Sequence, residues 1–220
     1  MTTLEAIKSR HAVRSFSKIP IKEETKATLN QVIAECNKES GLNIQLVTDE
    51  PKAFDCFKAH YGKFVNVNNY LAIVGKKGFD EKAGYYGEKI VLEAQKLGLN
   101  SCCVLMTYKK IPNAFTINKG ERIYIVVPLG YGTVQGIQHK SKDLKAVSNI
   151  GDDSPSWFKD GVNAALLDPT AINQQKFYFK YNNGKVIAKP GLAMYSKIDL
   201  GIAKYHFEVG ADKDSSIFEN

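Results

Sequence analysis

The stretch I-V-L-E-A-Q-K-L-G-L-N-S-C-C-V-L-M, Ile90–Met106, passes from a helical pattern to a strand pattern within a few residues. Ile90, Val91, Ala94 and Leu97 share one face at helical spacing, which predicts a helix from about Tyr86 to Leu97. Gly98 follows as its natural C′ residue, free to take the positive φ that closes a helix end. Ser101 to Leu105 then reads as a short apolar strand. Working outward, Y-L-A-I-V-G (Tyr70 to Gly75) reads as a buried strand, and Arg122 to Leu129 as another, ending in P-L-G-Y-G. N-I-Q-L-V-T (Asn43 to Thr48) is a strand by alternation. Before it, Glu23 and Glu24 open a helix that buries Leu29, Val32, Ile33 and Cys36 and stops at Gly41. Strands alternating with helices argue for an α/β or α+β sheet covered by helices.

Lys145 to Pro155 is polar and turn-rich and suits a linker, with Asp153 or Ser154 as a helix cap and Pro155 at the first helical position. Beyond it the plan repeats: a helix over Trp157 to Leu167, a strand at Phe177 to Tyr181, a tight Asn183-Gly184 turn, and a last helix from about Ile198 that buries Ile202, Tyr205 and Val209. L-N-I-Q-L-V near Leu42 and I-N-Q-Q-K-F near Ile172 hold the same place in the two halves. Identity between them is low, but the order of elements suggests a pseudo-twofold chain with halves at 1–148 and 149–220.

Composition narrows the class. The chain has 220 residues, 44% hydrophobic and 24% charged, with a net charge of +7. A globular protein with a sizeable core is implied, and disorder as the main state is excluded. No apolar run approaches the roughly 18 residues of a membrane span, and Met1 to Arg10 shows no apolar secretory segment. The lysines are scattered and match no nucleic-acid module, so neither nucleic acid nor membrane is expected as a partner; part of the charge suits a phosphorylated small molecule. Four cysteines, Cys36, Cys56, Cys102 and Cys103, fit neither a disulfide scaffold nor a zinc pattern and read as reduced packing residues of a cytoplasmic protein. The four histidines, His11, His60, His139 and His206, have no metal-ligand spacing, so no metal is expected. Gly130, Gly132 and Gly136 follow a strand, but Gln135 stands where a dinucleotide fingerprint needs its third glycine.

Three segments carry chemistry. R-H-A-V-R-S-F (Arg10 to Phe16) places two arginines four residues apart, on one face of a helix end, where two guanidinium forks can grip one phosphate. The bland alternative is a solvated basic turn. D-P-T-A-I-N-Q-Q (Asp168 to Gln175) is rich in amides and hydroxyls able to bond a planar heterocycle, and Q-H-K-S-K (Gln138 to Lys142) adds a cationic cluster.

Together these segments resemble the FMN-dependent nitroreductase superfamily, and the order of the motifs is similar to its smaller subgroup of the Thermotoga type, in which two halves of one chain play the parts of two subunits. The resemblance implies an α+β nitroreductase-like fold, a central, mainly antiparallel sheet flanked by helices in two pseudo-symmetric halves. It makes Arg10, His11, Ala12 and Arg14 the phosphate and ribityl contacts, with Ala12 lacking the usual serine hydroxyl. It places Leu105 and Met106 near the flavin ring, pairs Lys140 and Lys142 as a late basic return to the phosphate, and matches Pro169, Thr170, Ala171 and Asn173 to the loop lying against the flavin. The early slot for that loop holds C-N-K-E-S-G-L-N-I-Q instead, and the loop stands in the second half.

The implied activity is an FMN-dependent oxidoreductase that moves hydride from NADH or NADPH to flavin N5 and on to a nitroaromatic, quinone or similar small-molecule acceptor, with no catalytic side chain required. A flavin-binding protein without turnover, serving storage or sensing, is the alternative, and a basic interaction protein without cofactor a third. A monomeric pseudo-dimer or a homodimer is implied as the assembly. The aromatics Tyr85, Tyr86, Phe177, Tyr178 and Phe179 read as core, and His206 as a partly buried helix residue.

Overall fold

The computed structural model describes residues 1–219. Two compact units emerge, one of Met1–Ser9, Asp80–Lys89 and Gln138–Asn220, the other of Arg10–Phe79 and Ile90–Ile137. This division differs from halves at 1–148 and 149–220, because the chain enters the first unit three times rather than once.

The second unit holds helix α2 (Glu23–Ser40) and four strands, β1 (Asn43–Val47), β2 (Asn69–Lys76), β3 (Asn100–Ser101) and β4 (Glu121–Gly130). Every ladder is antiparallel and the order is β1-β2-β4-β3. The central strands are β2, buried from Asn69 to Gly75, and β4, buried from Tyr124 onward, which is why both read as continuous apolar runs rather than alternating ones. Gly41 closes α2 at φ 73, its N–H donating to the Asn37 carbonyl. A core of Val13, Phe16, Phe54, Phe64, Tyr70, Val104 and Val126 fills this unit, with the short helix α3 (Phe57–Tyr61) at its margin. Of the strand expected from Ser101 to Leu105, only β3 and a single bridge from Val104 to Val126 form.

In the first unit, helix α1 (Thr3–Ser9) opens the chain. The expected helix at Tyr86 begins earlier, as α4 (Asp80–Lys96), with Asp80 and Glu81 in its first turn. After the short α5 (Leu144–Val147) come α6 (Ser156–Ala165), the hairpin β5 (Phe177–Asn182) with β6 (Lys185–Pro190), and α7 (Ser196–Ala211). Pro155 is the N-cap of α6 rather than its first helical residue. The hairpin turn takes φ 45 at Asn183 and φ 83 at Gly184, the two positive values of a type I′ turn whose twist matches the strands it joins. Phe158, Phe179 and Phe207 form the centre of this unit, with Phe179 and Phe207 stacked at 4.8 Å.

Helices α4 and α7 meet at two glycines. A Cβ on Gly84 would fall on the Ile198 carbonyl oxygen, and one on Gly201 on the Glu81 carbonyl oxygen, so the two backbones touch where no side chain fits. Gly98, by contrast, takes φ 81 in open space. Gly201→Ala is expected to lower unfolding free energy by about 3 kcal/mol, through overpacking, and Gly98→Ala by only about 1 kcal/mol, through backbone strain. Denaturant titration of both variants checks this; a smaller loss at Gly201 than at Gly98 contradicts it.

Candidate functional site

Arg10 to Phe16 is not a helix end. The chain leaves α1 at Ser9 and runs extended, bridging Ala12 to Ser101, Ser15 to Val65 and Phe16 to Gly132. The Val13 N–H donates to the Ser101 carbonyl at 2.9 Å, the Val65 N–H to the Arg14 carbonyl at 2.9 Å, and the Phe16 N–H to the Val65 carbonyl at 3.1 Å. Buried Val13 and Phe16 anchor the segment. Arg10 and Arg14 lie on this bridged segment, Arg10 buried and Arg14 exposed.

Both guanidinium groups act on one thiol. Burial pushes the Cys102 thiol up, while the nearby charges of Arg14 and Arg10 and a hydrogen bond with Arg14 pull it down. Arg10 is only 3% exposed and Arg14 is exposed. Among the described residues Arg14 has no carboxylate partner; its guanidinium stands 5.9 Å from the centroid of Phe64. Gly136, at φ 71, backs this segment closely, since a Cβ there would sit 2.9 Å from the His11 Cβ and 3.0 Å from the Ala12 carbonyl oxygen. Leu105, half-buried, and Met106, exposed, follow Cys102 in a bend rather than a strand. Two cations that both act on one thiol, one of them lacking a carboxylate partner among the described residues, are the donor type that suits a dianionic phosphate.

The other expected residues are brought together in the first unit. Asn173 Nδ2 donates to the Lys140 carbonyl at 2.8 Å, and Gln175 Nε2 donates to Asn173 Oδ1 at 2.9 Å and to the Lys140 carbonyl at 3.2 Å. Thr170 is buried and its Oγ1 accepts from the Gln175 N–H at 3.0 Å, while Pro169 is half-buried. The Ala171 N–H donates to Asp199 Oδ1 at 3.0 Å and Gln174 Nε2 to Asp199 Oδ2 at 2.6 Å. Burial pushes the Asp199 carboxyl up, and these two hydrogen bonds oppose it. Lys142 Nζ donates to the carbonyls of Gln174 at 2.7 Å and Gln175 at 3.0 Å. Two of its three protons therefore hold the loop, leaving one for any anion. Burial and the charge of Lys176 pull the Lys142 ammonium down.

Three side-chain roles escaped the sequence reading. Gln175 lies inside the quoted loop but only the fold shows it tying Asn173 to Lys140. Asp199 stands in the first turn of α7, and nothing in its spacing announces the loop it fastens. Cys102 was read as packing, and the arginines about it become visible only when β3 is placed beside Val13.

Comparisons with known proteins bear on the family and the fold. The family model described as "Putative TM nitroreductase" matches residues 2–211. The chain belongs to this nitroreductase family. A search of curated proteins finds no match to the sequence. Among solved structures the chain is similar to a "putative nitroreductase" from Thermotoga maritima, with a TM-score of 0.70 at 21% identity, over 96% of this chain and 83% of that one. It is also similar to an FMN-dependent nitroreductase from Clostridium difficile R20291, TM-score 0.51 at 14% identity over 68% and 98% of the two chains. A third likeness is to nitroreductase A from Vibrio parahaemolyticus, TM-score 0.53 at 14% identity over 70% and 79%. The α+β nitroreductase fold is thereby shown, and family and fold together support an oxidoreductase of the flavin-dependent class.

This nitroreductase-family chain also buries titratable groups away from the segments above, between α4 and α7. His206 is fully buried rather than partly so; its Nδ1 faces the Ala164 carbonyl at 3.1 Å and its Nε2 faces Glu88 Oε1 at 2.9 Å. A carbonyl only accepts, so Nδ1 carries a proton. One turn on, Tyr85 donates to Glu208 Oε2 at 2.5 Å. Burial pushes the Glu208 carboxyl up from 4.5 to about 7, against the Tyr85 hydrogen bond and the charge of Lys204. The folded state thus holds a proton on Glu208 that the unfolded chain releases between pH 4.5 and about 7, so this group's contribution falls as pH rises through that window. Relative to Glu208→Gln, the wild type is expected to lose up to about 3 kcal/mol across it. Denaturant midpoints of both proteins across that pH range check this, and parallel profiles contradict it.

Proposed function

We propose that this chain is an FMN-dependent oxidoreductase of the nitroreductase type, using NADH or NADPH as reductant and a nitroaromatic, quinone or similar small molecule as acceptor. The observation that carries the reading is that the Arg10–Phe16 segment lies beside Ser101, with Arg10 and Arg14 both acting on the neighbouring Cys102 thiol and Arg14 lacking a carboxylate partner among the described residues. That donor set fits the flavin phosphate, and no metal is invoked. When bound, the flavin supplies the chemistry, accepting hydride at N5 and passing electrons to the acceptor.

The residues of this chain bind and tune. Arg10 and Arg14 hold the phosphate through charge-assisted bonds, with His11 and Ala12 on the same extended segment as ribityl contacts and Leu105 and Met106 as ring neighbours. Pro169, Thr170, Ala171 and Asn173, with Lys140 and Lys142, are proposed as further flavin contacts. Asn173 has one amide N–H committed to Lys140, and Lys142 has one ammonium proton beyond the two that clamp the loop. Donors and cations placed at the pyrimidine edge would stabilise the charge that develops there on reduction. The cytoplasm is proposed as its compartment, and a pseudo-dimeric monomer or a homodimer as its assembly.

Arg14 is exposed, so Arg14→Ala leaves the fold intact and is expected to weaken FMN binding by about 1.5–3 kcal/mol, the worth of a charge-assisted bond. The Arg10→Ala, Arg14→Ala double variant should purify almost without the flavin absorption bands. Full flavin occupancy in the double variant contradicts the phosphate assignment. Steady NAD(P)H oxidation by the wild type with a nitroaromatic or quinone is the expected activity, and a yellow protein without turnover contradicts it.

A further inference from the structure

The β5–β6 hairpin has two unlike faces. Phe177, Phe179 and Val186 point inward and are buried beneath α7. On the other face the register pairs Tyr178 with Lys189 and Lys180 with Ile187, and Lys176 continues the alternation at the open end, where its carbonyl accepts from the Gly191 N–H at 2.7 Å. Tyr178, Lys176, Lys180 and Lys189 are exposed. Among the described residues none of these three lysines makes an ion pair or a side-chain hydrogen bond. Nearby carboxylates lie at the turn end, where Glu219 accepts from Asn182 and Asp214 is near Lys185, whose ammonium donates to the Ser216 carbonyl at 2.8 Å.

Beside the open end lies a second feature. Leu192 is fully exposed and Met194 is 70% exposed, in the loop that follows Gly191. This loop is fixed in place, since Gln174 Nε2 donates to the Met194 carbonyl at 2.9 Å. Large apolar side chains held in water beside uncompensated lysines mark an interaction surface.

We propose that the outer face of the β5–β6 hairpin docks on an anionic lipid surface, its lysines against the headgroups and Leu192 and Met194 in the headgroup–acyl boundary. Charge complementarity selects an anionic partner, and the two protruding apolar side chains select a bilayer, into which they can be withdrawn from water. A nucleic acid would leave both in solvent and offers bases for stacking to the single aromatic on this face, Tyr178. In the sequence the lysines look scattered and no membrane partner is expected; the hairpin register brings Lys176, Lys180 and Lys189 to one face. The proposal does not rest on the flavin assignment, although the charge of Lys176 reaches Lys142, one of the proposed flavin contacts.

Sedimentation with vesicles tests it. The full chain is expected to pellet with vesicles of mixed phosphatidylcholine and phosphatidylglycerol at low salt, to be released by added salt, and to ignore pure phosphatidylcholine. Lys176→Glu, Lys180→Glu and Lys189→Glu together should lower partitioning at least about a hundredfold, at about fivefold per lysine lost. Leu192→Ser with Met194→Ser should lower it about tenfold while the salt dependence persists. The Leu192→Ser, Met194→Ser variant should keep the flavin content of the wild type. Equal binding to neutral vesicles, no binding to anionic ones, or a charge-reversed variant that pellets like the wild type would each overturn the proposal. So would lysine-dependent binding of single-stranded DNA without vesicle binding.

Discussion

The candidate site rests on the backbone hydrogen bond from the Val13 N–H to the Ser101 carbonyl, at 2.9 Å. It lays the first residues after α1 beside β3 as an extended segment, and the pairings with Val65 and Gly132 hold the rest of that segment in line. The segment is bridged to its neighbours rather than helical, and both of its arginines act on the Cys102 thiol. The anchors are apolar, Val13 and Phe16 in the core beneath, so hydrophobic burial in that unit fixes the position of two cations. The placement of the two cations is therefore a product of sheet packing.

The Pro169–Gln175 loop obeys a different constraint. It takes positive φ at Ile172, Asn173 and Gln175, conformations that L side chains adopt at a cost. Hydrogen bonds to Asp199, Lys140 and Thr170 offset that cost, and Lys142 holds two of the loop's carbonyls. A lysine assigned by resemblance to the phosphate is thus in large part a loop clamp, and Asp199, which resemblance does not mention, is its counterpart on the N–H side.

Much of the fold was legible because local chemistry and tertiary demand agree. The buried runs of β2 and β4, the Gly41 stop and the Asn183-Gly184 turn each state their structure within a few residues. α4 starts at Asp80, ahead of the expected Tyr86; Gly84, a poor helix former by local propensity, stands in that added turn where it admits the Ile198 carbonyl, a partner more than a hundred residues away. The same limit hid the extended form of Arg10 to Phe16, since a spacing of four serves a helix and a strand alike and the deciding bonds come from Val65, Ser101 and Gly132. Of the candidate residues, the identities were legible and the partners were not. Asp199, Gln175 and Cys102 acquire meaning only through contacts distant in sequence.

In the proposed function, two guanidinium groups on one extended segment bind the phosphate of a flavin nucleotide. Comparing the affinity of the chain for FMN with that for riboflavin, which lacks the phosphate and keeps the ring, tests this directly. FMN is expected to bind at least about a hundredfold more tightly, from two charge-assisted contacts of about 1.5–3 kcal/mol each, and Arg14→Ala is expected to narrow the gap. Equal affinity for the two flavins would contradict it.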